Sequence, residues 1–141
     1  MEEKVEVTIE IILHATEDER KIFDSFLDLF GIEESEFAKE QLVGHYDNPI
    51  TFLRVKITKN KARNFIKKLA SQLPHDQISE VIDDIENRVQ DSMLHIRLGK
   101  QELVKRNLVL QENDAVKVKI HTPVYSKKDT AKIYTNLLSP S

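Results

Sequence analysis

Three segments of the chain alternate apolar and basic side chains with the two-residue period of a β-strand. In residues 51–57, Leu53, Val55 and Ile57 alternate with Phe52, Arg54 and Lys56. Residues 93–98 set Leu94, Ile96 and Leu98 against Met93, His95 and Arg97, and residues 116–121 set Val118 and Ile120 against Lys117, Lys119 and His121. Successive strand side chains point to opposite faces, so each segment has an apolar face and a basic one. A slip of one residue would bury the cations, which makes the register strongly specified. If the three strands share a sheet, the apolar faces form a core and the cations form an open platform suited to a polyanion. A half-open antiparallel sheet also needs polar residues on its wet face whatever it binds, and Lys and Arg guard strands against edge-to-edge pairing.

The formal net charge of −3 hides a strong segregation. Residues 1–47 hold fourteen acids and four bases, whereas residues 48–75 hold seven bases and no acid. Residues 76–91 return to six acids and one base, and residues 92–141 hold nine bases and four acids. The local field, rather than the sum, steers a polyanion. Within a screening length of ~8–10 Å a basic face acts largely apart from acidic helices behind it.

At 141 residues, 40% of them hydrophobic and 32% charged, the chain reads as one globular domain spanning residues 1–141. It has no cysteine, which excludes disulfides and thiolate metal sites and fits a cytoplasmic setting. No apolar run approaches membrane-spanning length, and the first residues do not form a signal peptide.

Residues 5–13 predict a first strand with Val5, Val7, Ile9, Ile11 and Leu13 on one face. Thr16 and Glu19 match a capping box for a helix that buries Ile22, Phe23, Phe26, Leu27 and Phe30 and ends at Gly31. A second strand is expected within residues 37–45, although residues 36–41 could instead extend a helical turn. A turn at residues 46–49 then leads to the basic strand. A second helix opens at Thr58 or Asn60, buries Ala62, Phe65, Ile66, Leu69 and Leu73, and exposes Lys59, Lys61, Arg63, Lys67 and Lys68. Pro74 separates it from an acidic helix with Ile78, Val81, Ile82, Ile85 and Val89 inside. After the strand at 93–98 come a short helix near residues 100–106, the last strand, and a terminal helix opened by a second capping box at Ser126 and Asp129. This order predicts a two-layer α+β fold: one mostly antiparallel sheet of about five strands, with helices on one face.

The three glycines, Gly31, Gly44 and Gly99, lie too far apart for a phosphate-cradling loop, and zinc and nucleophile-elbow motifs are absent. The histidines at 14, 45, 75, 95 and 121 fall on separate elements, so no metal, no cofactor and no His–carboxylate cluster are expected. Asp83, Asp84 and Glu86 read as a solvated helix face. His45 and Asp47, with His14, are the candidates for phosphate-directed catalysis, but a polar turn accounts for them without it. Phe52, outward between basic neighbours, could stack on an unpaired base. The two or three aromatics of a full stacking platform are lacking.

His14-Ala15-Thr16-Glu17 and Gly44-His45-Tyr46-Asp47-Asn48-Pro49-Ile50 resemble two signature stretches of an archaeal family described as predicted RNA-binding, exosome-associated proteins. The order of elements is similar to that family over residues 5–134. The resemblance implies an α+β fold similar to that of the ribosomal protein that contacts 5S RNA. It also implies RNA, and exosome or other RNA-processing proteins, as partners. Charge geometry selects the RNA-contacting residues: Phe52, Arg54, Lys56, Arg97, Lys117 and Lys119 on the sheet, with Lys61, Arg63, Lys67 and Lys68 extending the surface. The expected function is RNA binding without catalysis, with a protein–protein assembly module as the alternative. Glu6 and Glu10 discriminate between them, because a first strand beside a basic one would neutralise the platform through cross-strand ion pairs.

Overall fold

The computed structural model describes residues 4–43 and 48–139. Its chain order is β1 (Glu6–His14), α1 (Glu19–Phe30), β2 (Ala38–Val43), β3 (Pro49–Thr58), α2 (Lys59–Gln72), α3 (His75–Asp83), α4 (Ile85–Arg88), β4 (Val89–Gln90), β5 (Met93–Gly99), α5 (Lys100–Val104), β6 (Ala115–His121) and α6 (Thr130–Leu138). The strands form one antiparallel sheet in the order β2-β3-β1-β6-β5-β4. Helices cover its apolar face, giving two layers. The sixth strand, beyond the five expected, is the two-residue β4. It pairs with β5 across Asp91 and Ser92, which both take positive φ (53° and 64°), as a tight two-residue hairpin turn requires.

The register is the one the alternation demands. Leu53, Val55, Ile57, Leu94, Ile96, Leu98, Val118 and Ile120 are all buried, as are Val5, Val7, Ile9, Ile11 and Leu13 on β1 and its approach. Against them pack Ile22, Phe23, Phe26 and Phe30 from α1, and Ala62, Phe65, Ile66 and Leu69 from α2. Phe37 packs edge-on against Phe23 and Phe26 with ring centroids 5.4 and 5.3 Å apart, and Phe30 meets Phe65 at 4.4 Å. A helix stripe fixed by spacing therefore became a shared aromatic core.

Local details differ from the sequence expectation. The N-cap of α1 is Asp18, whose carboxylate accepts from the Arg20 amide at 2.9 Å. Glu17 is free of capping and turns elsewhere, and no Thr16–Glu19 capping box forms. Leu27 faces solvent while Leu29 is buried. Gly31 does close the helix at φ 68°, a left-handed conformation that glycine adopts without a Cβ clash. The acidic helix breaks at Asp84 into α3 and α4. A single helical turn at Lys127–Asp129 precedes α6, with no side-chain cap from Ser126. Helix-like geometry before β2 is confined to Glu34–Glu36. The turn at residues 46–47, with His45, lies outside the described residues.

Tyr134 of α6 is fully buried, and its hydroxyl donates to the Ser92 carbonyl at 3.0 Å while accepting from the Thr122 amide at 3.4 Å. It thereby ties the last helix to the β4–β5 turn and to the end of β6. Burial pushes its ionisation above the ordinary value. A folded-state pKa raised in this way contributes stability in full below the unfolded value of about 10, and that contribution is lost as pH rises through the folded value. Tyr134→Phe should lower unfolding stability by ~1 kcal/mol at pH 7 through the lost hydrogen bonds. The deficit should narrow in urea titrations above pH 10, where only the wild type has a phenol to ionise. A deficit unchanged by alkali would argue against a buried neutral phenol.

Candidate nucleic-acid interface

The outward positions form a grid whose rows run across the strands. One row reads Lys56, Thr8, Lys119, His95, and the next reads Arg54, Glu10, Lys117, Arg97. Because β1 lies between β3 and β6, its Glu6 and Glu10 stand in the middle of the platform. Glu10 bridges both sides, 3.0 Å from the Lys119 ammonium and 3.6 Å from Arg54 Nε, and Glu6 lies 3.5 Å from the Lys56 ammonium. The uniform cationic face expected from the three strands is therefore corrected: its β3 half is largely neutralised. The cause is topological, since a strand with alternating acids was inserted between two basic ones.

The other half keeps more of its charge, because Glu10 reaches only Lys119 there. β5 and β6 contribute no carboxylate to the outward face, and Arg97 stands directly opposite Lys117. Like charges in directly opposed positions are destabilising. Among the described residues Arg97 pairs only with Glu112, at 3.8 Å, whose own side chain is 78% exposed. Among the described residues Lys117 has no ion-pair or hydrogen-bond partner. This is the part of the sheet whose field is left for a polyanion to satisfy.

The helix cations occupy a different surface. α2 buries its apolar stripe against the inner side of the sheet, so Lys61, Arg63, Lys67 and Lys68 lie on the helical layer and do not extend the strand platform as expected. Lys61 is paired with Glu36, whose carboxyl is held below its ordinary pKa first by that hydrogen bond and then by the Glu33 amide. Arg63, Lys67 and Lys68 border a groove of about 360 Å³ between α2 and α6.

Phe52 is outward and half-buried, but its cross-strand neighbours are Ile12 and Glu40 rather than bases. Ile12 and Leu42 are 43% and 44% exposed beside it. The ring belongs to an apolar corner of the open face, away from the β5–β6 cations.

A polar hub closes one end of the sheet. Lys100, at the start of α5, is 2% exposed, and its ammonium donates to Glu17 Oε1 at 2.8 Å, Asp114 Oδ1 at 2.8 Å and the Ile12 carbonyl at 2.7 Å. Glu17 also accepts from the His14 amide at 2.9 Å and from Gln101 at 3.0 Å. Ligand atoms of His14, Glu17 and Asp114 lie within 4.8 Å of one another, which corrects the expectation that no histidine meets carboxylates. These three could hold a divalent cation only if the ammonium gave up its place between the two acids. Lys100→Met would leave both carboxylates and a carbonyl without their cation. The expected loss is ~2–3 kcal/mol in urea unfolding, below the full value for a buried pair because Asp114 is 43% exposed. A loss under ~0.5 kcal/mol would mean that the hub is not structural.

Sequence reasoning missed Lys100, Arg88 and Glu112 as site residues. Nothing local marks them: each acquires its partners from segments distant in sequence or from a break in a helix. His45 and Asp47 lie outside the described residues, so their proposed meeting with His14 has no geometry here.

A family model described as RNA binding matches residues 6–122, and the chain belongs to that family. An RNA-binding protein of Pyrococcus abyssi is 25% identical over 90% of this chain and 87% of its own length. An uncharacterized protein of Methanocaldococcus jannaschii is 25% identical over 94% and 96%. A crystal structure of a DUF54 protein from Archaeoglobus fulgidus superposes with a TM-score of 0.80 at 30% identity, covering 97% of this chain and 99% of that one. The fold and these archaeal relatives agree with the α+β RNA-binding resemblance in its coarse form.

Proposed function

We propose that this protein binds RNA through backbone phosphates and performs no chemistry of its own, with the β5–β6 half of the open sheet as its principal contact. The observation that carries this reading is the pair Arg97 and Lys117, directly opposed and left without a strong counter-charge. Lys119, shared with Glu10, lies on the same face with His95 and His121. Phosphate contacts position a nucleic acid without reading its bases, so sequence preference should be weak. Family membership and the name of the Pyrococcus relative support RNA as the ligand. A place beside RNA-processing or RNA-degrading machinery, the exosome among them, extends the same reading and rests on the sequence resemblance.

A second reading, protein–protein assembly, is favoured by the apolar corner formed by Ile12, Leu42 and Phe52. Salt dependence separates the two. Log affinity for single-stranded RNA should fall linearly with log salt, with a slope near −0.7 per phosphate contact. Changing Arg97, Lys117 and Lys119 together to Ala should flatten that slope by about 1.4 units, the share of Arg97 and Lys117, since Lys119 is already paired with Glu10. Changing Arg54 and Lys56 to Ala should flatten it by less than ~0.7, because Glu10 and Glu6 already neutralise them. Fluorescence anisotropy across a salt series measures both. Equal slopes for the wild type and the triple variant would leave assembly as the function.

A further inference from the structure

Beside the cationic half of the sheet, where the end of α4, the β4–β5 hairpin and the loop before β6 meet, lies a pocket of about 250 Å³. Arg88, His95 and Arg97 line it, with Asn87, Gln90 and the two acids Asp84 and Glu112. Arg97 belongs both to this pocket and to the outward row of Lys117, so the pocket opens from the proposed RNA face.

Arg88 is poised but under-satisfied. Its side chain is only 16% exposed, yet its contacts are long: 3.4 Å to Glu80 and 3.5 Å from Nε to Asp84 Oδ2. Its buried Nε has no hydrogen-bond partner. A buried donor left in this state is unfavourable, and a charged acceptor brought into the pocket would strengthen the whole arrangement. Asp84 is itself held by the Asn87 amide at 2.7 Å, which fixes the carboxylate that orients Arg88.

Two carboxylates oppose an anion here: Asp84, whose charge is engaged by Arg88 and Asn87, and Glu112, which is held far more loosely. The loop carrying it is tied to β5 by a Leu98–Leu110 bridge and by the Gln111 amide donating to the Arg97 carbonyl at 3.1 Å. The backbone therefore delivers Glu112 to Arg97, but the carboxylate stays solvated and 3.8 Å away, a contact of the weak, exposed kind. An anchored loop with a loosely held carboxylate is a placeholder that a stronger anion can displace.

Resting on the RNA reading above, we propose that this pocket is a phosphate subsite of the bound RNA. Arg88 and Arg97 are its charged donors, and Glu112 is an internal competitor that RNA displaces. The subsite takes one phosphate from the strand that crosses the β5–β6 face.

The test uses the full chain and a fluorescent single-stranded oligonucleotide, prepared with and without a 5′ phosphate. Glu112→Gln should tighten binding several-fold, and Arg88→Gln should weaken it by about tenfold, the effect of losing one charge-assisted contact. Arg88→Lys should recover part of that loss. Thermal midpoints taken alongside separate binding from folding, and Glu112→Gln, on an exposed loop, carries the test alone if Arg88→Gln fails to fold. A gain confined to the 5′-phosphorylated oligonucleotide assigns a terminal phosphate; an equal gain for both assigns an internal one. If Glu112→Gln binds like the wild type, the subsite is overturned, while the broader reading stands so long as the Arg97, Lys117 and Lys119 triple variant still loses its salt slope. A wild type that binds neither oligonucleotide overturns both.

Discussion

The structure turns on β1. Its inner face, Val7, Ile9, Ile11 and Leu13, is buried at the centre of the sheet, and its outer face places acids between two basic strands. Both faces enforce one register. Inside, a slip would exchange apolar side chains for charged ones. Outside, Glu10 pairs with Arg54 on one flank and with Lys119 on the other, so correct pairing is also the pairing that brings opposite charges together. The same arrangement limits function, because each carboxylate that secures the sheet removes charge that RNA would otherwise use.

An asymmetry follows from that constraint. On the β2–β3 side, acids and apolar residues surround Arg54 and Lys56, and Phe52 sits among Ile12 and Glu40. On the β6–β5 side, no strand acid intervenes, and cations face each other across the ladder. Like charges held together by a rigid sheet are a standing unfavourable term that an incoming phosphate relieves. A sheet that is half self-neutralised and half strained electrostatically presents a directional field toward the facing cations of β5 and β6.

Lys100 plays the corresponding role at the far end of β1. Its buried ammonium gathers the β1–α1 connection, the start of α5 and the approach to β6 around one charge, with two acids and a carbonyl as acceptors. A buried charge is tolerated only when it is paired and hydrogen-bonded, and here every donor of the ammonium has an acceptor. Together with Tyr134, which ties α6 to the β4–β5 turn and β6, it fixes the strand ends around the apolar layer.

The periodicities of the chain determined its layers. Alternation in residues 51–57, 93–98 and 116–121, and the three-to-four spacing of Ala62, Phe65, Ile66 and Leu69, dictate which side chains are buried, since each repeat has only one way to hide its apolar face. Gly31 likewise marked a helix end through its own conformational freedom. Capping was less legible: Thr16 and Asp18 are both competent caps, and only the loop that sends Glu17 to Lys100 decides between them. The two-residue β4 was invisible because it has no pattern of its own and exists only by pairing with β5. The charge of the open face was decided by tertiary structure alone. Local sequence states that a strand is basic, but whether its cations are free depends on which strand lies beside it, and strand order is a property of the whole sheet. Arg54 and Arg97 look alike in sequence; one meets Glu10 and the other meets Lys117, because β1 neighbours β3 and β6 but not β5.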